Sequence, residues 1–310
     1  MAQFLVTGGS GFIGSHLCRK LLGEGHGVRV LDNLSSGKRE NLSDVADDID
    51  FLEADLLDED ALQRGVKGVE YVLHHAAVAS VQTSVEQPLM EQQINSVGTL
   101  RLLEAARQAG VRRVVFAASA AAYGNDPRVP KREDMRPTPE SPYAISKLVG
   151  EYYCGVYSSL YGLETVCLRY FNVYGPCQDP ASPYSGVISI FAKRMLNGQA
   201  PLVHGDGLQT RDFVSVHDVV AANVLAYQVE CAQGQVYNIG SGYSSSLIDL
   251  LTALNAVLSC NIQAEFVEAR SGDVRDSLAD ISKAQSQLGY MSSMDLQRGL
   301  RETIEWMRAE

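Results

Sequence analysis

The run Gly8-Gly9-Ser10-Gly11-Phe12-Ile13-Gly14 limits what this chain can fold into more than any other stretch. A short apolar strand over residues 3–7 precedes it, and a helical pattern follows through Leu22. The three spaced glycines answer separate demands. Gly8 permits a tight turn, Gly11 lets a pyrophosphate approach the backbone, and Gly14 lets the helix pack on the strand. The helix start supplies N–H donors and positive potential to the phosphates. Between a strand and a helix the run reads as a dinucleotide cradle rather than an ordinary Gly-rich turn. A second strand over 28–31 ends at Asp32, about 20 residues past the glycines, where a carboxylate holds a ribose diol. That carboxylate repels a 2′-phosphate and so favours NAD over NADP, a preference softened by Lys38 and Arg39.

Strands then alternate with helices. Strands are expected over 50–53, 70–73, 113–117 and 164–169, and long helices over about 85–108 and 142–160. Such alternation predicts an α/β fold, a Rossmann-type doubly wound parallel sheet with helices on both faces. Asp55, just after the third strand, is placed to face an adenine, and the small Ala76 and Ala77 after His74-His75 let a dinucleotide lie against the strand ends. From Tyr170 the pattern loosens into short strands and helices around Pro/Gly/Ser loops. A smaller C-terminal α/β substrate domain is therefore expected. The predicted division is 1–170, joined by about 211–240, for the cofactor, with 171–210 and 241–310 for the substrate.

The chain has 310 residues, 45% hydrophobic and 20% charged, enough for a substantial core. A net charge of −11 argues against nucleic acid as the partner. The six cysteines (18, 154, 167, 177, 231 and 260) form no Cys-x-x-Cys pair, and the six histidines show no zinc-ligand spacing, so no metal is expected. The thiols read as reduced and mostly packed. A strand starts almost at once, so no signal peptide is expected. No apolar run reaches membrane-spanning length. Together these predict a soluble cytoplasmic protein with no membrane partner.

Residues 141–147, Ser-Pro-Tyr-Ala-Ile-Ser-Lys, carry the candidate chemistry. Pro142 suits the first position of a helix. Tyr143 and Lys147 are then four apart and share one face. A tyrosine ordinarily loses its proton near pH ~10, and a neighbouring ammonium favours the phenolate. The pair is a candidate proton-transfer device.

The residues now on the page resemble a known family. The chain is similar over nearly its whole length to extended short-chain dehydrogenases/reductases, specifically the UDP-glucose/UDP-N-acetylglucosamine 4-epimerase family typified by UDP-galactose 4-epimerase. The markers, in order, are Thr7 to Gly14, Asp32-Asn33-Leu34, His74-His75-Ala76-Ala77, Asn95-Ser96-Val97-Gly98-Thr99, Ser119, Tyr143 with Lys147, Arg169-Tyr170-Phe171-Asn172-Val173-Tyr174-Gly175-Pro176, Gly205-Asp206-Gly207, Arg211-Asp212-Phe213 and Arg270-Ser271-Gly272-Asp273.

The resemblance implies NAD-dependent 4-epimerisation of a UDP-hexose through a transient 4-keto sugar. Tyr143, as phenolate, would take the proton of the 4-hydroxyl, Ser119 would bond the 4-oxygen, and Lys147 would hold the nicotinamide ribose and, with the positive nicotinamide, lower the Tyr143 pKa. It implies cofactor contacts from Gly8, Gly11, Phe12, Ile13, Gly14, Asp32, Asn33, Asp55, Leu56, Ala76, Ala77, Asn95, Tyr143, Lys147 and Tyr170. For the nucleotide sugar it implies Asn172, Val187, His204, Phe213, the phosphate clamps Arg211 and Arg270, the ribose-binding Asp273, and Ser277 at the sugar pocket. A small residue at position 277 implies room for 2-acetamido sugars. Related dehydratases and decarboxylases carry an acid just after the Ser119 position, where this chain has Ala120 and Ala121. Cys177-Gln178-Asp179-Pro180 likewise departs from the uronic-acid epimerase motif. The other readings are a dTDP-sugar or other nucleotide-sugar 4-epimerase or reductase, and a non-catalytic NAD-sensing protein. The family also implies a homodimer through the helices 85–108 and 142–160, with Tyr152, Tyr153, Val156 and Tyr157 either lining it or facing the core.

Overall fold

β1 (Gln3–Thr7) alternates its side chains between two interiors. Phe4 and Val6 enter one apolar cluster and Leu5 enters another, and all three are fully buried. Only a strand covered on both faces has this pattern, as in a parallel sheet between helical layers. The structure is a computed structural model that describes residues 1–180, 186–269 and 274–309.

α1 (Phe12–Gly23), β2 (Gly27–Asp32), β3 (Ile49–Glu53), α2 (Glu59–Val66) and β4 (Tyr71–His74) follow β1. α3 (Val81–Glu86), α4 (Pro88–Gln92) and α5 (Gly98–Gln108) lead to β5 (Arg113–Ser119), and α6 (Pro142–Tyr161) leads to β6 (Glu164–Tyr170). The chain then leaves the sheet through β7 (Asn172–Tyr174), α7 (Val187–Leu196), β8 (Leu202–His204), β9 (Thr210–Arg211) and β10 (Phe213–Ser215). It returns by α8 (Val216–Gln228) to β11 (Gln235–Ile239). β12 (Ser245–Ser246), α9 (Leu247–Leu258), β13 (Glu265–Val267), α10 (Ser282–Leu288) and α11 (Leu296–Ala309) complete the described elements.

The main sheet has seven parallel strands in the order β11-β6-β5-β4-β1-β2-β3. β1 pairs with β2 on one side and β4 on the other, so the winding reverses there and opens a crevice at the carboxyl ends of the strands. A separate apolar cluster of Tyr174, Ile188, Phe191, Val203, Phe213, Leu250 and Leu300 lies in the later elements. Among the described residues no helix is long and apolar enough to cross a membrane.

The helix expected over 85–108 is not continuous. Pro88 lacks an N–H and clashes with a preceding turn, so it begins α4 instead of extending α3. Residues Gln93–Val97 then form one π turn before α5. The sequence reading also did not place α2, whose first turn is capped by Asp58 through Ala61 N–H at 2.9 Å.

One buried cation ties β5 to the layer behind it. The Arg113 side chain is 1% exposed. It donates to the carbonyls of Ala226, Tyr227 and Val229 at 2.9, 3.1 and 2.8 Å, and to Glu164 at 2.7 Å. The last carbonyls of a helix have no partner within it and carry negative partial charge, so Arg113 satisfies the end of α8. Arg113→Ala leaves these acceptors unpaired and is expected to cost about 3 kcal/mol or more. Chemical denaturation checks this, and a loss below about 1 kcal/mol would contradict it.

Candidate functional site

The crevice begins at Gly8, whose φ of +70° suits glycine. A Cβ there would lie 2.7 Å from the Ala76 nitrogen, and one on Gly14 would lie 2.1 Å from the Gly8 carbonyl. The close seating of α1 on the loop therefore requires hydrogen at both positions. Gly11 is freer, with only the Gly8 carbonyl near its missing Cβ at 3.2 Å, and it precedes α1 without a side-chain cap. Phe12 and Ile13 form the first turn and are half-buried.

Asp32 braces this loop. Its carboxylate accepts from Ser10 N–H at 2.9 Å and Leu34 N–H at 2.8 Å. Burial pushes its pKa up, while the two backbone donors oppose that. Asn33 donates to Asp55 at 2.6 Å. Gly8, Gly11, Asp32, Asn33, Asp55, Leu56, Ala76 and Ala77 line one cleft of about 620 Å³, part of it open to solvent. An extended cradle that a Cβ at Gly8 would close, with a carboxylate at the ribose position and small residues opposite, fits a dinucleotide.

Beside this cleft, Ser141 caps α6 by accepting from Ala144 N–H at 3.1 Å, and Pro142 occupies the first turn. The helix projects Tyr143 and Lys147 toward the ends of β5 and β6. Lys147 is 5% exposed and donates to the Ala117 carbonyl at 2.8 Å. Its ammonium lies 5.1 Å from the Phe116 ring centre and 5.9 Å from that of Tyr143. Burial lowers its pKa to about 8, against an opposing push from Glu91. Burial is the largest effect on Tyr143 and carries its hydroxyl above the ordinary value, with Ser119 pulling the other way. The lowering expected from Lys147 with the positive nicotinamide is not seen in the protein alone, where loss of hydration outweighs the pull of Ser119. Ser119 also accepts from Ala121 N–H at 3.2 Å. It thus holds the turn that follows β5.

Register places Tyr170 opposite Ser119, where its hydroxyl accepts from Asn223 at 2.8 Å and lies 3.0 Å from His75 Nε2. Asn95 stands behind the cleft. Its carbonyl oxygen accepts from Val78 N–H at 2.8 Å and its amide donates to Val78 O at 2.9 Å, fixing the segment after Ala76 and Ala77.

The candidate substrate residues lie on the later elements. Asn172 opens β7, and its backbone and side-chain nitrogens donate to the Asp212 carbonyl at 3.0 and 3.2 Å. Arg211 lies on β9, and its guanidinium donates to Thr210 O at 2.9 Å. Ser277 N–H donates to Thr210 O at 3.1 Å, which brings Ser277 beside Arg211. Val187 starts α7, and His204 ends β8 with Nδ1 3.0 Å from the Glu268 carbonyl. Phe213 is 7% exposed and packs in the third apolar cluster. Arg270 and Asp273 lie outside the described residues.

Sequence reasoning missed the residues that support these groups from behind. Thr99 donates to the Asn95 carbonyl at 2.5 Å, so it must accept from His74 Nε2–H at 2.9 Å. His74 Nδ1 then accepts from Thr7 at 2.7 Å, and the Thr7 oxygen accepts from His75 and Ala76 N–H at 3.2 Å each. This order fixes one neutral tautomer of His74, and burial holds the ring neutral. Glu91 is fully buried, although in sequence it reads as an ordinary polar helix residue. The π turn that follows it leaves no hydrophobic-pattern signal. Among the described residues no cluster of three or more metal-ligating side chains occurs.

Lys147 should lose its proton as the pH rises through about 8. Carbon-13 NMR of lysine-labelled protein, with Lys147→Met to assign the signal, measures this midpoint. A value near the ordinary ~10.4 would contradict the described burial.

The model of the NAD dependent epimerase/dehydratase family matches residues 4–240. UDP-glucose 4-epimerase of Mycolicibacterium smegmatis is 43% identical over 309 residues, covering 98% of each chain. A UDP-N-acetylglucosamine 4-epimerase of Methanobrevibacter ruminantium, solved with UDP-N-acetylmuramic acid, superposes with a TM-score of 0.95 at 39% identity, over 99% of this chain and 98% of that one. UDP-glucose 4-epimerase of Thermotoga maritima, solved with UDP-glucose, gives a TM-score of 0.94 at 41% identity over 99% of each. With its Gly-rich cradle, its seven parallel strands and its Tyr143–Lys147 helix all within that frame, the chain belongs to the NAD dependent epimerase/dehydratase family.

Proposed function

We propose that this protein interconverts the C4 epimers of a UDP-hexose, with NAD as its cofactor and UDP-glucose and UDP-N-acetylglucosamine as the substrate forms. The observation that carries the reading is the α6 pair, Lys147 buried on the Ala117 carbonyl and Tyr143 one turn before it, facing a β5 that ends in Ser119 with no acid at Ala120 or Ala121. Tyr143, in its phenolate form, takes the proton of the sugar 4-hydroxyl. Ser119 holds the 4-oxygen in line. Lys147 holds the ribose next to the reacting ring and keeps positive charge beside the tyrosine. Bound NAD supplies reversible hydride acceptance at C4. The two alanines offer no second proton acceptor, so chemistry at C5 or loss of a carboxyl group has no catalyst here.

In this reading residues 1–170 with 211–240 hold the cofactor, and 171–210 with 241–310 hold the nucleotide sugar. Asn172, Arg211 and Arg270 border the diphosphate, Asp273 the nucleotide ribose, and His204 and Phe213 the base, with Val187 a further substrate-binding residue. Two guanidiniums match a pyrophosphate better than lysines do. Ser277, beside Arg211, leaves space for a 2-acetamido group. The buried thiols of Cys18, Cys154 and Cys167 fit a reducing cytoplasm.

A homodimer completes the proposal. Ile145, Tyr152, Val156 and Leu160 make an exposed apolar stripe on α6, and Val85 and Leu89 are exposed on and beside α3 and α4. Such a patch favours a partner surface, here a second copy of the chain. Tyr157 belongs to the inner face, being 6% exposed and bonded to Glu104 at 3.1 Å. Tyr153 also packs inward.

Proton NMR of purified protein with UDP-glucose and UDP-N-acetylglucosamine tests the activity. Tyr143→Phe should lower turnover of both by about 10²–10⁴-fold, and near-native turnover by that variant would contradict the reading. Ser277→Tyr should lower turnover of the N-acetyl substrate about tenfold or more while sparing UDP-glucose. Equal effects on both would remove the pocket argument. Sedimentation should find a dimer at micromolar concentration that Tyr152→Glu dissociates, and a wild-type monomer would refute the interface.

A further inference from the structure

Glu91 takes no part in the chemistry just described, yet it lies against the elements that perform it. It is fully buried where α4 meets α6. Its two oxygens accept from Ser146 Oγ at 2.5 Å, from the Asn95 amide, and from Gln92 Nε2 at 2.8 Å. All three partners donate, the pattern a carboxylate accepts. Among the described residues no lysine or arginine forms a direct ion pair with it. A carboxylate removed from water without a contacting cation is costly, so its place beside the reacting groups calls for an account.

The partners of Glu91 are not incidental. Ser146 sits between Tyr143 and Lys147 on α6, and its oxygen is also 2.9 Å from the Tyr143 carbonyl. Asn95 clamps Val78 just beyond the cofactor cleft. The other titratable groups around this region are His74 and His75 at the end of β4, both held neutral by burial, and Glu86 on α3, which is exposed. Tyr143 and Lys147 are therefore the two groups whose charge changes that the Glu91 field can influence, and its effect on both is directional: it favours the ammonium and opposes the phenolate.

We propose that Glu91 is a positioning residue for the Tyr143–Lys147 pair: its buried carboxylate is the fixed counter-charge against which both side chains change protonation, while its hydrogen bonds hold Asn95 and Ser146 in place. The inference rests on the roles given to Tyr143 and Lys147 above. Removing the negative charge makes the ammonium easier to deprotonate and the phenolate easier to form. Both transitions then move to lower pH.

The test uses the purified protein labelled with carbon-13 at tyrosine Cζ and lysine Cε, the signals being assigned with Tyr143→Phe and Lys147→Met. In Glu91→Gln both midpoints should fall by about one pH unit, and the profile of kcat/KM against pH for UDP-glucose should shift to acid as a whole. Glu91→Asp, which keeps the charge, should stay nearer the wild type. Unchanged midpoints in a folded Glu91→Gln protein, or midpoints moving in opposite directions, would overturn the proposal. If Glu91→Gln does not fold, Glu91→Asn against Glu91→Asp repeats the charge comparison at the shorter length. A wild type that epimerises nothing while its midpoints still respond to Glu91 would sink the epimerase reading alone. An active wild type with unresponsive midpoints would sink the Glu91 role alone.

Discussion

The loss of water around Lys147, which is buried, and Tyr143, which is half-buried, is the constraint on which the site depends. Lys147 has a single carbonyl partner, Ala117, and burial alone brings its pKa down to about 8. Tyr143 is driven the other way, toward the neutral phenol, with Ser119 as the group that opposes it. An ammonium that is easily lost and a phenol that is reluctantly ionised both resist the charged pair. The surrounding structure is arranged to hold that pair within reach. α6 fixes the spacing, β5 supplies Phe116, Ala117 and Ser119, and the region around the π turn supplies Asn95 and the buried Glu91.

The sheet explains why these groups meet a dinucleotide. The winding reverses between β1 and β4 and leaves a crevice there, and Gly8 and Gly14 bring the loop against Ala76 and the start of α1. His74 joins the two sides. It accepts from Thr7 at the end of β1 and donates to Thr99, which in turn donates to the Asn95 carbonyl. A single buried neutral ring thus relates the position of the cradle to that of the helix behind Tyr143. Next to Ser119 stand Ala120 and Ala121, whose side chains carry no proton acceptor.

Much of this was legible in the chain because it rests on local rules. The glycine spacing, the carboxylate after the second strand, the Ser141-Pro142 helix start and the four-residue interval from Tyr143 to Lys147 all follow from backbone geometry. The loosening of the pattern from Tyr170 corresponds to short later elements, Val187–Leu196 and Leu202–His204 among them. What escaped was non-local. Pro88 split the long helix, and the π turn changed the facing of its polar residues without disturbing the hydrophobic pattern. Glu91 and His74 acquire their roles only through partners on other elements, Ser146 on α6 and Thr7 on β1. The Tyr143 pKa likewise depends on its loss of solvent as well as on the neighbouring ammonium, and spacing reveals only the second.

The central claim is that hydrogen leaves C4 and returns to the same carbon on its other face without passing through solvent. UDP-glucose carrying deuterium at C4, turned over in ordinary water and followed by NMR and mass spectrometry of the product, tests this most directly. The account predicts that UDP-galactose forms with the deuterium still at C4. Product that has lost its label to water, with hydrogen in its place, would contradict it.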